Sequence, residues 1–117
     1  MIIGLKKECK IGEGRVAVTP SDMKILLNKF QFKVEEGAGE KSGFSDVDYI
    51  EAGASVVPRA HLWSESDMVI GVKEPTYEEF KYVKEGGTIF SYLHLADNMH
   101  IVRKLLKSKV SIVSVNS

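Results

Sequence analysis

Three residues of this sequence have the types and the settings to handle a small organic acid: Arg15, Lys73 and His94. Arg15 stands in Gly12-Glu13-Gly14-Arg15-Val16-Ala17-Val18-Thr19-Pro20, where two glycines loosen a loop and the arginine enters an apolar segment leading to a helix. Its planar fork matches a carboxylate with two hydrogen bonds. A salt bridge is the other reading, because an arginine among apolar residues is normally paired. Lys73, in Val72-Lys73-Glu74-Pro75, closes the most apolar run of the chain. An ammonium there can hold a carboxylate or polarise a carbonyl, with Glu74 as its partner or as a plain loop residue. His94, in Tyr92-Leu93-His94-Leu95-Ala96, is either a proton carrier suited to neutral pH or a satisfied core imidazole. His61 and His100 lie in polar, helical contexts and read as surface residues. The three histidines lack the spacing of a metal site. No serine, cysteine or threonine stands in a nucleophile motif.

The elements that must position these residues alternate between strand and helix. Ile2 to Leu5 is a short apolar run of strand type. Thr19 then Pro20 is an N-cap followed by a proline suited to the first helical turn. Met23, Leu26, Leu27 and Phe30 fall on one helix face. Phe32 to Glu35 alternates as a strand, and Ser45 to Ala52 reads as a helix with a capping box from Ser45 to Asp48. Ser55 to Val57 is a strand ended by Pro58. Ala60 to Trp63 reads as one helical turn, with Trp63 a packing residue. Met68 to Val72 is a strand buried on both faces. Tyr77 to Val83 reads as helix, Thr88 to Leu93 as strand, 98–108 as a helix capped by Asp97, and Val110 to Val115 as the last strand. The alternation predicts an α/β fold of three layers, a mainly parallel sheet with helices on both faces. In such sheets ligands bind at the carboxyl ends of the strands, where Lys73 and His94 both stand.

Gly37-Ala38-Gly39-Glu40-Lys41-Ser42-Gly43 follows a strand and precedes a helix, the setting of a dinucleotide fingerprint. The spacing is one residue too long, Glu35, Glu36 and Glu40 would repel a pyrophosphate, and the helix begins only after the cluster. A helix must aim its N-terminus at a phosphate to act on it. The cluster therefore reads as a structural turn, and no cofactor-binding or metal-binding residue is assigned.

The chain has 117 residues, enough for one domain, and its sixteen basic and sixteen acidic residues cancel. Zero net charge gives no reason to expect nucleic acid or an anionic membrane as partner. No apolar run approaches the ~18 residues of a membrane span, and the N-terminus lacks the pattern of a signal peptide. The single cysteine, Cys9, reads as a half-buried residue in a reducing compartment, so a cytoplasmic location is expected. The last strand is apolar and would need a covering element, so the ending reads as a truncation or as a domain that expects a partner segment. Exposed apolar surface there predicts a homo-oligomer or association with a further domain.

Several segments, in order, resemble the alanine dehydrogenase family. They are Ile3-Gly4 with Lys7-Glu8, Arg15-Val16-Ala17-Val18-Thr19-Pro20, Glu36-Gly37-Ala38-Gly39, Ser42-Gly43-Phe44-Ser45-Asp46, Tyr49, Ala52-Gly53-Ala54, Val72-Lys73-Glu74-Pro75 and Tyr92-Leu93-His94-Leu95-Ala96. The resemblance implies a Rossmann-like, flavodoxin-like substrate domain, incomplete here, from a two-domain enzyme. That enzyme interconverts alanine with pyruvate and ammonia, passing a hydride to and from NAD. It implies that Arg15 and Lys73 grip the substrate carboxylate and polarise its carbonyl, and that His94 is the general acid–base. The family's nucleotide-binding domain and a further catalytic aspartate have no counterpart within residues 1–117, so NAD is expected on the parent enzyme, none on this chain, and no turnover by this chain alone. The expected ligand is a small 2-oxo or amino acid, and the expected macromolecular partner a nucleotide-binding domain. The NAD-binding component of proton-pumping nicotinamide nucleotide transhydrogenase is similar too, but its matching segment typically lacks the histidine. A non-enzymatic remnant or binding module is the remaining alternative.

Overall fold

A computed structural model describes residues 2–9, 12–28, 30–73, 75–91 and the backbone of 111–114. The first apolar run forms strand β1 (Ile2–Leu5). Helix α1 (Pro20–Leu26) starts where the Thr19 hydroxyl accepts the Asp22 N–H at 3.2 Å, with Pro20 in the first turn. Strand β2 (Gln31–Glu35) follows, then a short 3-10 turn at Glu40–Ser42. Helix α2 (Asp46–Ala52) carries the full capping box of Ser45 and Asp48 and stops at Gly53, whose φ of 110° is the left-handed conformation that releases a helix end. Next come β3 (Ser55–Val57), α3 (Arg59–Glu65), β4 (Met68–Gly71), α4 (Tyr77–Phe80), β5 (Thr88–Ser91) and β6 (Ser111–Ser114).

Some boundaries differ from the sequence expectation for physical reasons. Helix α1 ends before Leu27, yet Leu26, Leu27 and Phe30 still pack on the core, because the chain turns across it instead of leaving it. Helix α3 is seven residues, not a single turn. Helix α4 stops at Phe80 because the N–H groups of Tyr82 and Val83 bond three residues back, to Glu79 and Phe80, tightening the turn. Strand β4 stops at Gly71 because the Val72 N–H is taken by the Glu8 carboxylate. Its burial also alternates: Val69 and Gly71 are buried, Met68 and Ile70 only half-buried. The expected helix at 98–108 lies outside the described residues.

All six strands are parallel, in the order β3-β2-β1-β4-β5-β6. The chain winds outward from β1 to β3, returns past β1 through α3, and winds the other way. This is the doubly wound, Rossmann-like arrangement, and its direction reverses between β1 and β4. Side-chain alternation divides the interior in two. Ile3, Leu5, Phe32 and Val34 join Met23 and Tyr49 in one core beneath α1 and α2. Val69 and Ile89 join Leu62 and Trp63 in a second core beneath α3 and α4. Gly4 faces α3, and any side chain there would overlap the Ser66 hydroxyl and press on Leu62.

The glycine-rich segment is a packed turn. The Gly37 N–H donates to Asp46 Oδ1 at 2.9 Å, so the first carboxylate of α2 already fills the position an external anion would seek. A Cβ on Gly39 would lie 2.7 Å from the Tyr49 ring and 2.9 Å from Phe44 Cβ. Tyr49, fully buried, donates from its hydroxyl to the Val18 carbonyl at 2.9 Å and so anchors the loop that enters α1.

Two outcomes follow from this packing. Gly39→Ala should lower unfolding stability by about 1–3 kcal/mol, since the overlap is with a ring and a neighbouring side chain that cannot both retreat; chemical denaturation reads it. Burial, and then Asp48, push the Tyr49 phenol up to about 12. Between ~10 and that value the folded chain keeps a proton that the unfolded chain has lost, so stability falls as pH rises, by about 1.4 kcal/mol per pH unit. Tyr49→Phe should be about 1 kcal/mol less stable at neutral pH and should lack this alkaline component in thermal melts across the same range.

Candidate active site

The switch between β1 and β4 gathers an unusual number of charges. Beyond Leu5 the chain continues as Lys6-Lys7-Glu8-Cys9 over the carboxyl edge of the sheet. Lys6 turns to the α3 face and is almost fully buried. Its stem packs on Gly71, where a Cβ would come within 2.7 Å of Lys6 Cε. Its Nζ donates to Glu79 Oε1 at 3.1 Å and lies 3.8 Å from Glu8 Oε1. Glu79, also fully buried, accepts the Thr76 N–H at 3.0 Å and completes the capping box of α4. Burying charge is tolerable only when each ion is paired and hydrogen-bonded, and this cluster meets that condition.

Glu8 carries the register of the site. Its two oxygens accept the backbone N–H groups of Val72 and Lys73, each at 2.9 Å. Burial raises its carboxyl above the usual range, against the opposing pull of Lys6 and of the two backbone donors. On the other side of the same loop, Glu35 at the end of β2 accepts the Lys7 N–H at 3.1 Å and Arg59 Nε at 2.9 Å. Arg59 reaches on to Cys9 Sγ at 3.1 Å. Burial and the nearby Glu79 push the Cys9 thiol up, which suits a structural rather than a reactive cysteine.

Arg15 and Lys73 both lie at this edge, and the charge of each acts on Glu13. Arg15 is exposed, at 71% of its side chain, rather than inserted in the apolar segment that follows it. Its guanidinium closes back on Glu13: Nε to Oε2 at 3.0 Å and Nη2 to Oε1 at 3.0 Å, with the Arg15 backbone N–H adding 2.9 Å to Oε2. Glu13, by contrast, is buried, at 6%. The Arg15 hydrogen bonds hold its carboxyl below the usual range, and Lys73 adds to that effect. Arg15 is itself raised, by Glu13 first and by Glu8 after it. Among the described residues the Lys73 ammonium forms no salt bridge, and its side chain is half-buried. The loop bearing Arg15 is pinned to the glycine turn, where the Ser42 hydroxyl donates to the Gly14 carbonyl.

His94 and Glu74 lie outside the described residues. His61 is exposed, 3.2 Å from Glu65, and Trp63 is buried in the second core. Among the described residues no cluster of histidine, cysteine or carboxylate groups is placed to hold a metal ion, and no helix is long and apolar enough to cross a membrane. Sequence reasoning missed Lys6, Glu8, Glu13 and Glu79 as parts of the site. The signal was present for three of them: Lys6 and Glu8 stand within three residues of the end of an apolar strand, as Lys73 does. Thr76 and Glu79 also have the spacing of a capping box.

Replacing Glu8 by Gln should remove one of two acceptors and turn an amide donor toward a backbone donor. We expect a loss of about 1–3 kcal/mol in denaturant unfolding and shifted amide signals for Val72 and Lys73; a variant as stable as the parent would remove Glu8 from this role.

Comparison with known proteins bears on this arrangement. Residues 4–117 match the family model described as alanine dehydrogenase/PNT, N-terminal domain. The chain is 50% identical over 112 residues to the alanine dehydrogenase of Staphylococcus saprophyticus, covering 94% of this chain and 30% of that protein. It is 39% identical over 113 residues to the alanine dehydrogenase of Methanococcus maripaludis, covering 95% and 30%. Among solved structures, an L-alanine dehydrogenase superposes with a TM-score of 0.90 at 36% identity, over 97% of this chain and 32% of that one. The transhydrogenase from Sinorhizobium meliloti gives 0.89 at 26%, over 96% and 34%. The chain thus spans about a third of the length of the proteins it matches.

Proposed function

Because the chain belongs to the family of alanine dehydrogenase/PNT N-terminal domains, we propose that its sheet edge is the substrate-carboxylate side of an alanine dehydrogenase active site. In this reading Arg15 and Lys73 hold the carboxylate of a small 2-oxo or amino acid, pyruvate or alanine, and Lys73 polarises the neighbouring carbonyl. His94, three residues beyond the end of β5 in sequence, moves the proton at the reacting centre. The observation that carries the reading is the two-point grip of the Arg15 fork on a carboxylate, that of Glu13, beside the strand ends where the sheet changes direction, with the Lys73 charge acting on the same carboxylate from beyond contact distance. The dehydrogenase reading is preferred to the transhydrogenase one because, among solved structures, the identity is 36% to an L-alanine dehydrogenase against 26% to a transhydrogenase.

The family's hydride carrier is NAD, which accepts the hydride when bound. The glycine turn does not fit its pyrophosphate: the Gly37 N–H is already taken by Asp46 and Gly39 is packed on Tyr49. The nicotinamide would have to be presented by a nucleotide-binding domain docked on this one. What the present residues supply is binding, orientation and proton handling.

Titrating pyruvate into isotope-labelled chain tests the reading. Amide signals of residues 13–16 and 72–73 should shift and saturate in about the millimolar range. Lys73→Ala should weaken binding by about tenfold. Spectra unchanged at ~50 mM pyruvate would end this assignment.

A further inference from the structure

We propose that Glu13 is a built-in stand-in for the substrate carboxylate, one that a small 2-oxo acid must displace from Arg15 before it can bind. The inference rests on the reading of Arg15 and Lys73 as carboxylate receptors. Three observations carry it.

The first is geometric. Both edge donors of the Arg15 fork, Nε and Nη2, are engaged at 3.0 Å by the two oxygens of one carboxylate, the same two-point grip a substrate carboxylate would need. The second is the electrostatic neighbourhood. Glu13 feels Arg15 and Lys73 together, the pair assigned to the ligand. The third is the asymmetry of burial. Glu13 is buried while the Arg15 side chain is 71% exposed, so the arginine is the member of the pair that faces an incoming acid.

The consequence is selectivity as well as competition. A neutral or one-point ligand cannot replace two charge-assisted bonds, so only a carboxylate recovers what Arg15 gives up. The competition is mild, because the Arg15 side of the pair stands in solvent, which weakens the ion pair.

The test compares pyruvate with its neutral amide, 2-oxopropanamide, on the 117-residue chain, on Glu13→Gln and on Arg15→Ala, with dissociation constants read from amide shifts. Removing the internal anion should tighten pyruvate about two- to fivefold and leave the amide unchanged, while Arg15→Ala should lose most pyruvate binding. If Glu13→Gln binds pyruvate equally or more weakly while Arg15→Ala abolishes binding, Glu13 positions the arginine and the displacement idea is wrong, with the carboxylate-receptor reading intact. If Arg15→Ala binds pyruvate as the parent does, or if neither the parent nor Glu13→Gln binds it, the receptor reading itself fails and the stand-in goes with it.

Discussion

The two hydrogen bonds from the Glu8 carboxylate to consecutive backbone amides of 72 and 73 are the constraint on which the site depends. A strand-end loop has no ladder to fix it, and buried backbone donors must find acceptors somewhere. Here a side chain from the end of β1 supplies both acceptors to the end of β4. The two strands flanking the direction change are thereby locked to each other at their carboxyl ends. Glu35 does the same on the other flank, tying Lys7 and Arg59 to the end of β2. One loop is thus clamped from both neighbours by carboxylates, and the residues after it, Glu13 and Arg15, inherit a fixed base.

That clamp requires Glu8 to be ionised in a buried place, which burial opposes. Lys6 and Glu79 resolve the conflict. Lys6 lies at 3.8 Å from Glu8 and 3.1 Å from Glu79, and the cost of burying one lysine is shared among two carboxylates and the cap of α4. Strand alternation makes this possible: Leu5 points into the first core, so Lys6 points to the opposite face, where Gly71 leaves room for its stem. Helix α4 is only four residues long, yet it packs Phe80 on the second core and supplies, in its capping glutamate, the second anchor of the cluster.

The fold was largely legible because its signals are local. The Thr19-Pro20 start, the Ser45–Asp48 capping box and the apolar runs each act within a few residues, and alternation of strand and helix leads to a parallel sheet. What could not be read was the strand order and the long-range pairing, since nothing in the sequence of Glu8 names an amide 64 residues away as its partner. The same limit applies to Arg15. Its loop was recognisable, but whether its fork faced an internal acid was left open between salt bridge and receptor, and the structure shows the internal acid two residues away. The glycine cluster illustrates the reverse case: its spacing and flanking acids spoke against a phosphate cradle, and the Gly37–Asp46 bond and the Gly39–Tyr49 contact supply the packing reason.

The division of the interior into two cores has an optical consequence. The sole tryptophan, Trp63, lies 2% exposed in the core beneath α3 and α4, and its indole N–H has no hydrogen-bond partner among the described residues. An indole in such surroundings emits at short wavelength and shifts to the red once water reaches it. Tyr49, on the opposite side of the sheet, is fully buried and bonded to Val18. Trp63 emission therefore reports on the face beneath α3 and α4 alone, whereas tyrosine absorbance, with Tyr49 on one face and Tyr82 on the other, reports on both.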